Sequence, residues 1–216
     1  MDETAAMQAA RTSGDGEPVT DGRLLRGARS RAVILRHAVD IASLNGLDGL
    51  SFGRLAGELG VSKSGVQTLF RTKETLQLAT AECARRAFEA AVLRPAASAP
   101  RGAARVRALV EAWLDYAQAP LFAGGCFWAA NLAGFDSRPG RVHDTLIGHQ
   151  RAWRELIATE LRRAADAGEI ADLDTDLAAF QIDAVLHAAN SAMRIGDADA
   201  AGAVRRVLDG FLVPAR

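Results

Sequence analysis

The chain has 216 residues, half of them apolar, and its 26 basic residues balance 26 acidic ones, so it can bury a sizeable core as one or two domains. No run of 18 or more apolar residues is present and no basic stretch leads into an apolar one at the N-terminus, so neither a membrane span nor a secretion signal is expected. Cys83 and Cys126 are the only cysteines and have no metal-ligand spacing; they suit a reducing cytoplasm, and no metal or other cofactor is expected.

In chain order, residues 1–22 carry five acids against Arg11 alone, with little periodicity, and read as a disordered acidic tail. The charge then reverses: residues 23–78 hold nine basic and four acidic side chains, so the zero total hides a basic module beside a near-neutral one. The only two lysines, Lys63 and Lys73, lie in that module. A helix over about 31–44 has its apolar stripe at Ile34, Leu35, Ala38 and Ile41.

Residues 51–70, SFGRLAGELGVSKSGVQTLF, read as two short helices joined by a tight turn. Ser51 caps the first, Gly60 allows the reversal, Val61 packs, and Ser62 caps the second. Leu55 with Leu59 and Val66 with Phe70 give each helix one buried stripe, and the small Ala56 permits a close crossing. Lys63, Ser64, Gly65, Gln67 and Thr68 are left facing outward, a polar surface free of carboxylates. This is the pattern of a helix-turn-helix, whose second helix enters the DNA major groove.

The stretch from Ser30 to Leu76, closing with LFRTKETL, resembles the N-terminal domain of the TetR family of bacterial regulators, with Phe70, Lys73 and Leu76 at the family's positions. The resemblance implies that Lys73, at the start of the next helix, meets a DNA phosphate. Where the family often has Gly-x-Leu-Tyr-x-x-Phe, this chain has Gln67 in place of the tyrosine; a glutamine can bond a phosphate or bind adenine bidentately. The DNA-contacting set is therefore Ser51, Lys63, Ser64, Gly65, Gln67, Thr68 and Lys73, with Gln67 and Thr68 reading bases and the lysines setting position.

Thr72 caps a helix of about 22 residues that stops near Pro95. Further helices are predicted over about 101–118, 125–132, 141–167, 176–195 and 199–212, with no strand pattern anywhere. The chain is thus all-α, with about nine helices: a three-helix helix-turn-helix domain over 23–76, then a helical effector-binding and dimerisation domain over 77–216. The last two helices, with Ala203, Val204, Val207, Leu208, Phe211 and Leu212 in a stripe, are candidates for a homodimer interface or for closing the protomer's own core.

Most large aromatics gather between 113 and 153, and oriented polar groups lie among and after them, which suggests a ligand pocket lined by Trp113, Phe127, Trp128, Asn131, Trp153, His187 and Asn190. Asp183, His187 and Asn190 fall on one helix face. The expected function is a regulator that binds a palindromic operator as a homodimer and represses until a small, largely apolar effector shifts helix 73–94. Two alternatives are a redox response through Cys83 and Cys126 and a non-specific architectural role. An enzyme using Cys126 with His143, His149 or His187 is disfavoured, because nothing fixes their spacing and the apolar surroundings raise the thiol pKa.

Overall fold

The structure, a computed structural model, describes residues 19–215, and the surroundings of side chains from Arg29 onward. Nine helices make up the described residues: α1 Val19–Asn45, α2 Phe52–Leu59, α3 Lys63–Phe70, α4 Lys73–Phe88, α5 Ala103–Gln118, α6 Phe127–Phe135, α7 Arg141–Asp166, α8 Thr175–Arg194 and α9 Ala200–Phe211. No strand occurs among them, and no helix among them is long and apolar enough to cross a membrane. The acidic stretch 1–18 lies outside the described residues; α1 begins at Val19, well before the expected start near Arg31.

Local chemistry sets most boundaries. Thr72 Oγ1 accepts the Thr75 N–H at 3.1 Å and starts α4, and Asp174 Oδ1 accepts the N–H groups of Asp176 and Leu177 and starts α8. The end of α4 differs from expectation. It runs on through a π turn, Glu89–Leu93, into Arg94–Ala96, with the Arg94 N–H donating to Glu89 O five residues back.

The N-terminal unit packs Ile34, Leu35, Ala38 and Ile41 of α1 over Leu55, Val66 and Phe70 of α2 and α3, all buried. The second unit buries Val106, Leu109, Val110, Leu114, Leu146, Ile157, Leu161, Ile182 and Leu186 between α5, α7 and α8, with α9 closing one side through Val204 and Leu208. These two α9 residues therefore serve the protomer's own core and are not free for an interface. On α8, by contrast, Leu177 and Phe180 remain 53% and 54% exposed, and Ala184 and Ala188 continue that open face towards Val207 of α9.

The two units are joined by more than α4. The segment between α5 and α6 lies on the C-terminal half of α1, where the Ala123 N–H donates to Asp40 Oδ1 and the Gly124 N–H to Ser43 Oγ. A Cβ on Gly124 would stand 2.0 Å from Ser43 O, so only glycine allows this approach. Gly124→Ala is expected to cost about 1–3 kcal/mol, the usual penalty for forcing a packed contact apart. That lowers the thermal midpoint by about 3–10 °C for a chain of this size; an unchanged midpoint in circular dichroism melting would show that the contact yields freely.

Candidate DNA-binding surface and ligand cavity

The helix-turn-helix is built by its caps. Ser51 Oγ accepts the Arg54 N–H at 3.1 Å, Gly60 takes φ 65° at the turn, and Ser62 Oγ accepts the Gly65 N–H at 3.1 Å. A Cβ at residue 65 would come within 2.9 Å of that Ser62 oxygen, so the glycine also makes room for the cap. Val61 does not pack as expected. Its N–H bonds back to Ala56 O in the turn, and its side chain is 47% exposed.

On α3, Val66 and Phe70 are buried, while Lys63, Ser64, Gly65, Gln67 and Thr68 are all exposed. The α3 sequence contains no carboxylate. Glu58, at the end of α2, is drawn back by Arg54 at 2.7 Å and His37 at 2.6 Å; chiefly the Arg54 hydrogen bond holds its carboxyl below the usual range. Ser51 is exposed beside this surface, its hydroxyl already serving as the cap. Lys73 is exposed at the start of α4, and its Nζ donates to Asp48 O at 2.8 Å, which leaves further N–H donors on the ammonium for a phosphate.

Asp48 belongs to a single 3₁₀ turn, Leu47–Gly49, that links α1 to α2. This turn is gripped from both units. Gln77 Nε2 of α4 donates to Leu47 O at 3.0 Å, Asn131 Oδ1 of α6 accepts the Leu47 N–H at 2.6 Å, and Arg138 pairs with Asp48. Asn131 Nδ2 also donates to Ala42 O and Phe127 O, at 3.1 and 2.7 Å. Asn131 is only 1% exposed, so every polar atom of its amide is spent on joining α6 to α1. It is a structural tie and does not line the cavity described next.

That cavity, of about 140 Å³, lies between α4, α5, α6, α7 and α8. Trp113, Trp128, Trp153 and His187 of the expected set line it. Phe127 and Asn190 do not. Phe127 is fully buried with its N–H on the Tyr116 hydroxyl at 3.3 Å, and Asn190 Oδ1 accepts the Cys126 N–H at 3.1 Å, fixing the start of α6 to α8. One wall escaped the sequence reading: Arg85, Phe88, Glu89 and Leu93, delivered by the end of α4 and its π turn. Phe88 stacks edge-on against Tyr116, Trp128 and Trp153 at 5.1–5.4 Å, and as the lone aromatic of its helix it was the available signal.

Among the described residues, four buried side-chain atoms have no hydrogen-bond partner: Trp128 Nε1, His149 Nδ1, Asp183 Oδ1 and His187 Nε2. All four residues line this one cavity. Burial pushes the Asp183 carboxyl up and the His149 imidazole down, both towards the neutral form. Cys126 also reaches the lining, but burial raises its pKa and its side-chain hydrogen-bond partner is Tyr116, not a histidine, so the thiol is held unreactive. Among the described residues no cluster of His, Cys, Asp or Glu is arranged to hold a metal ion.

Residues 102–208 match the model of the tetracyclin repressor-like C-terminal domain. The chain belongs to the TetR family. Its fold agrees with solved structures beyond those residues as well. A TetR transcriptional regulator from Chloroflexus aurantiacus superposes with TM-score 0.76 over 87% of this chain and 94% of that one, at 22% identity. AibR, solved with isovaleryl coenzyme A and operator DNA, gives TM-score 0.70 over 85% and 99%, at 17% identity. A protein of unknown function from Rhodococcus sp. RHA1 is 28% identical over 84% and 93%, with TM-score 0.66. No curated protein matches by sequence. In this TetR-family chain the DNA-binding helix-turn-helix and the aromatic cavity are thus the two ends of one regulator fold.

Proposed function

We propose that the protein is a homodimeric, operator-specific repressor that acts in the cytoplasm and is released from DNA when a small molecule fills the aromatic cavity. The observation that carries the ligand reading is the convergence of all four unpartnered buried polar atoms on one cavity. Unsatisfied buried groups cost about 1–3 kcal/mol each, and a polar ligand recovers that energy. AibR, which has been solved with both an acyl-coenzyme A and its operator, offers a precedent for one chain of this fold holding a ligand and DNA.

The exposed, carboxylate-free face of α3 carries the DNA reading, with Gln67 and Thr68 at the bases and Ser51, Lys63 and Lys73 at phosphates. A single α3 touches too few base pairs, so two copies are required on two half-sites. The open α8 face around Phe180 is the surface suited to join them. The effector acts by binding one arrangement of the cavity better than the other. Its influence travels by α4, whose π turn forms one wall, and by α6, whose Asn131 holds the α1–α2 joint.

Selection from a random duplex pool at two salt concentrations tests the reading. An enriched palindrome is expected; binding without enrichment that fades with salt would reduce the protein to a non-specific DNA binder. On the selected operator, Gln67→Ala should relax preference at one base position by about 1–3 kcal/mol. Lys63→Ala should weaken all sequences alike and lower the salt slope by about one. Matching, uniform losses from both variants in fluorescence-anisotropy titrations would contradict this division of roles.

A further inference from the structure

The open polar atoms of the cavity define the chemistry of what fills it. His187 Nδ1 lies 3.0 Å from the Asp183 main-chain carbonyl, which can only accept a hydrogen bond. Nδ1 therefore carries a proton, and Nε2 turns unpartnered into the buried space. Asp183 is 7% exposed; its Oδ2 accepts from Gln150 Nε2 at 2.6 Å, while Oδ1 lies 3.5 Å from His187 Nδ1 and has no hydrogen bond. The α8 side of the cavity thus presents a carboxyl oxygen and an imidazole nitrogen side by side, both unpartnered.

The remaining walls are aromatic, with Trp128 Nε1 as an open donor on the ligand's far side. The chain's only three tryptophans, Trp113, Trp128 and Trp153, all line the cavity, and aromatic faces attract cations. Arg85 is the one arginine or lysine in the lining, and its guanidinium is committed to Glu82 at 2.8 and 2.9 Å and to Glu89 at 3.3 Å. An anionic ligand would meet Asp183 directly, while Arg154, the arginine that acts on Asp183, lies outside the lining over the Phe180 ring. The volume, about 140 Å³, is close to that of a roughly 150 Å³ engineered cavity that takes up benzene. It suits one ring or a comparable branched body.

We propose that the effector is a small organic amine, bound as its ammonium ion by Asp183 and His187, with a body about one ring in size among the three tryptophans. This assignment rests on the reading of the cavity as the effector site. An ammonium ion donates to the open Asp183 oxygen, and its charge offsets the burial of the carboxylate.

Three probes that share a body but differ in charge test this: 2-phenylethylamine, 2-phenylethanol and phenylacetate, titrated into the full-length protein near neutral pH. Quenching of intrinsic tryptophan emission is the readout, since all three indoles border the site. The amine should bind on the order of tenfold or more tighter than either of the others, and Asp183→Asn should abolish that preference. Equal affinities, or a preference for phenylacetate, would overturn the amine assignment and leave the effector-site reading standing. Absence of saturable quenching by all three also overturns it. Operator release by a compound of another class would then show that the cavity reading survives. The probe ranking is read on the unmodified protein, so it decides the matter even if Asp183→Asn folds poorly.

Discussion

Asn131→Leu is expected to destabilise the protein by about 1–3 kcal/mol, because it strands the buried Leu47 N–H, while the Ala42 carbonyl keeps the Gly46 N–H at 3.0 Å. For a chain of this length that is a fall of about 3–10 °C in thermal midpoint. The functional consequence is separable from the structural one. With the tie gone, α6 no longer holds the Leu47 N–H; the turn keeps Gln77 of α4 and the Arg138–Asp48 pair, and α1 keeps its bonds from Ala123 and Gly124. Ligand binding in the cavity should persist below the lowered midpoint, while the ligand's effect on operator affinity shrinks. Calorimetric ligand titration beside operator titration, each with and without ligand, checks this. A variant whose operator affinity responds to ligand in full would mean that the signal does not pass through Asn131.

Phe180→Asp is expected to split the dimer and to lower operator affinity by about a hundredfold or more, the usual gain from joining two half-site contacts. Phe180 and Leu177 together are the largest exposed apolar side chains on α8, and Ala184 and Ala188 extend the face with residues small enough for close helix approach. The Arg154 guanidinium rests 5.7 Å from the Phe180 ring, so one edge of the patch is already ordered. An aspartate at this position would be buried against its own symmetry mate, where two like charges repel. Sedimentation equilibrium should find the variant monomeric and its melting curve little changed, since the side chain is not part of the protomer core. A variant that stays dimeric and binds operator normally would move the interface elsewhere.

The parts of the fold legible from sequence are those decided by neighbours in the chain. Ser51, Gly60, Ser62 and Thr72 act within four residues of themselves, and each cap or turn forms where its residue type requires it. The exposed set on α3 follows from helical spacing alone. The cavity was legible only in part, because its polar residues are assigned by distant partners. Asn131, Asn190 and His187 look alike in the sequence, as polar residues in apolar helices. The first is claimed by Leu47 and Ala42, the second by Cys126, and only the third turns an open atom to the cavity. Val204 and Leu208 likewise differ from Val207 only in what α9 packs against. The long α1 and the π turn in α4 have prolines beside them, Pro18 before Val19 and Pro95 after Leu93, but a proline alone does not tell an early start or a π turn from an ordinary helix end.

That π turn gives helix length a meaning that composition does not. In an unbroken α-helix, residues five apart point about 140° away from each other. Across a turn closed by a hydrogen bond from residue i+5 back to residue i, they fall nearly into line. Phe88 and Leu93 are such a pair, and both face the cavity because the Arg94 N–H reaches back to Glu89 O. Helical phase is therefore a determinant of what the cavity accepts. The same residues wound as a regular α-helix would swing Leu93 off the wall, whereas removing one residue between the two would set them four apart, where a regular helix keeps both on one face. The π turn is thus how this helix holds an extra residue without losing its share of the lining.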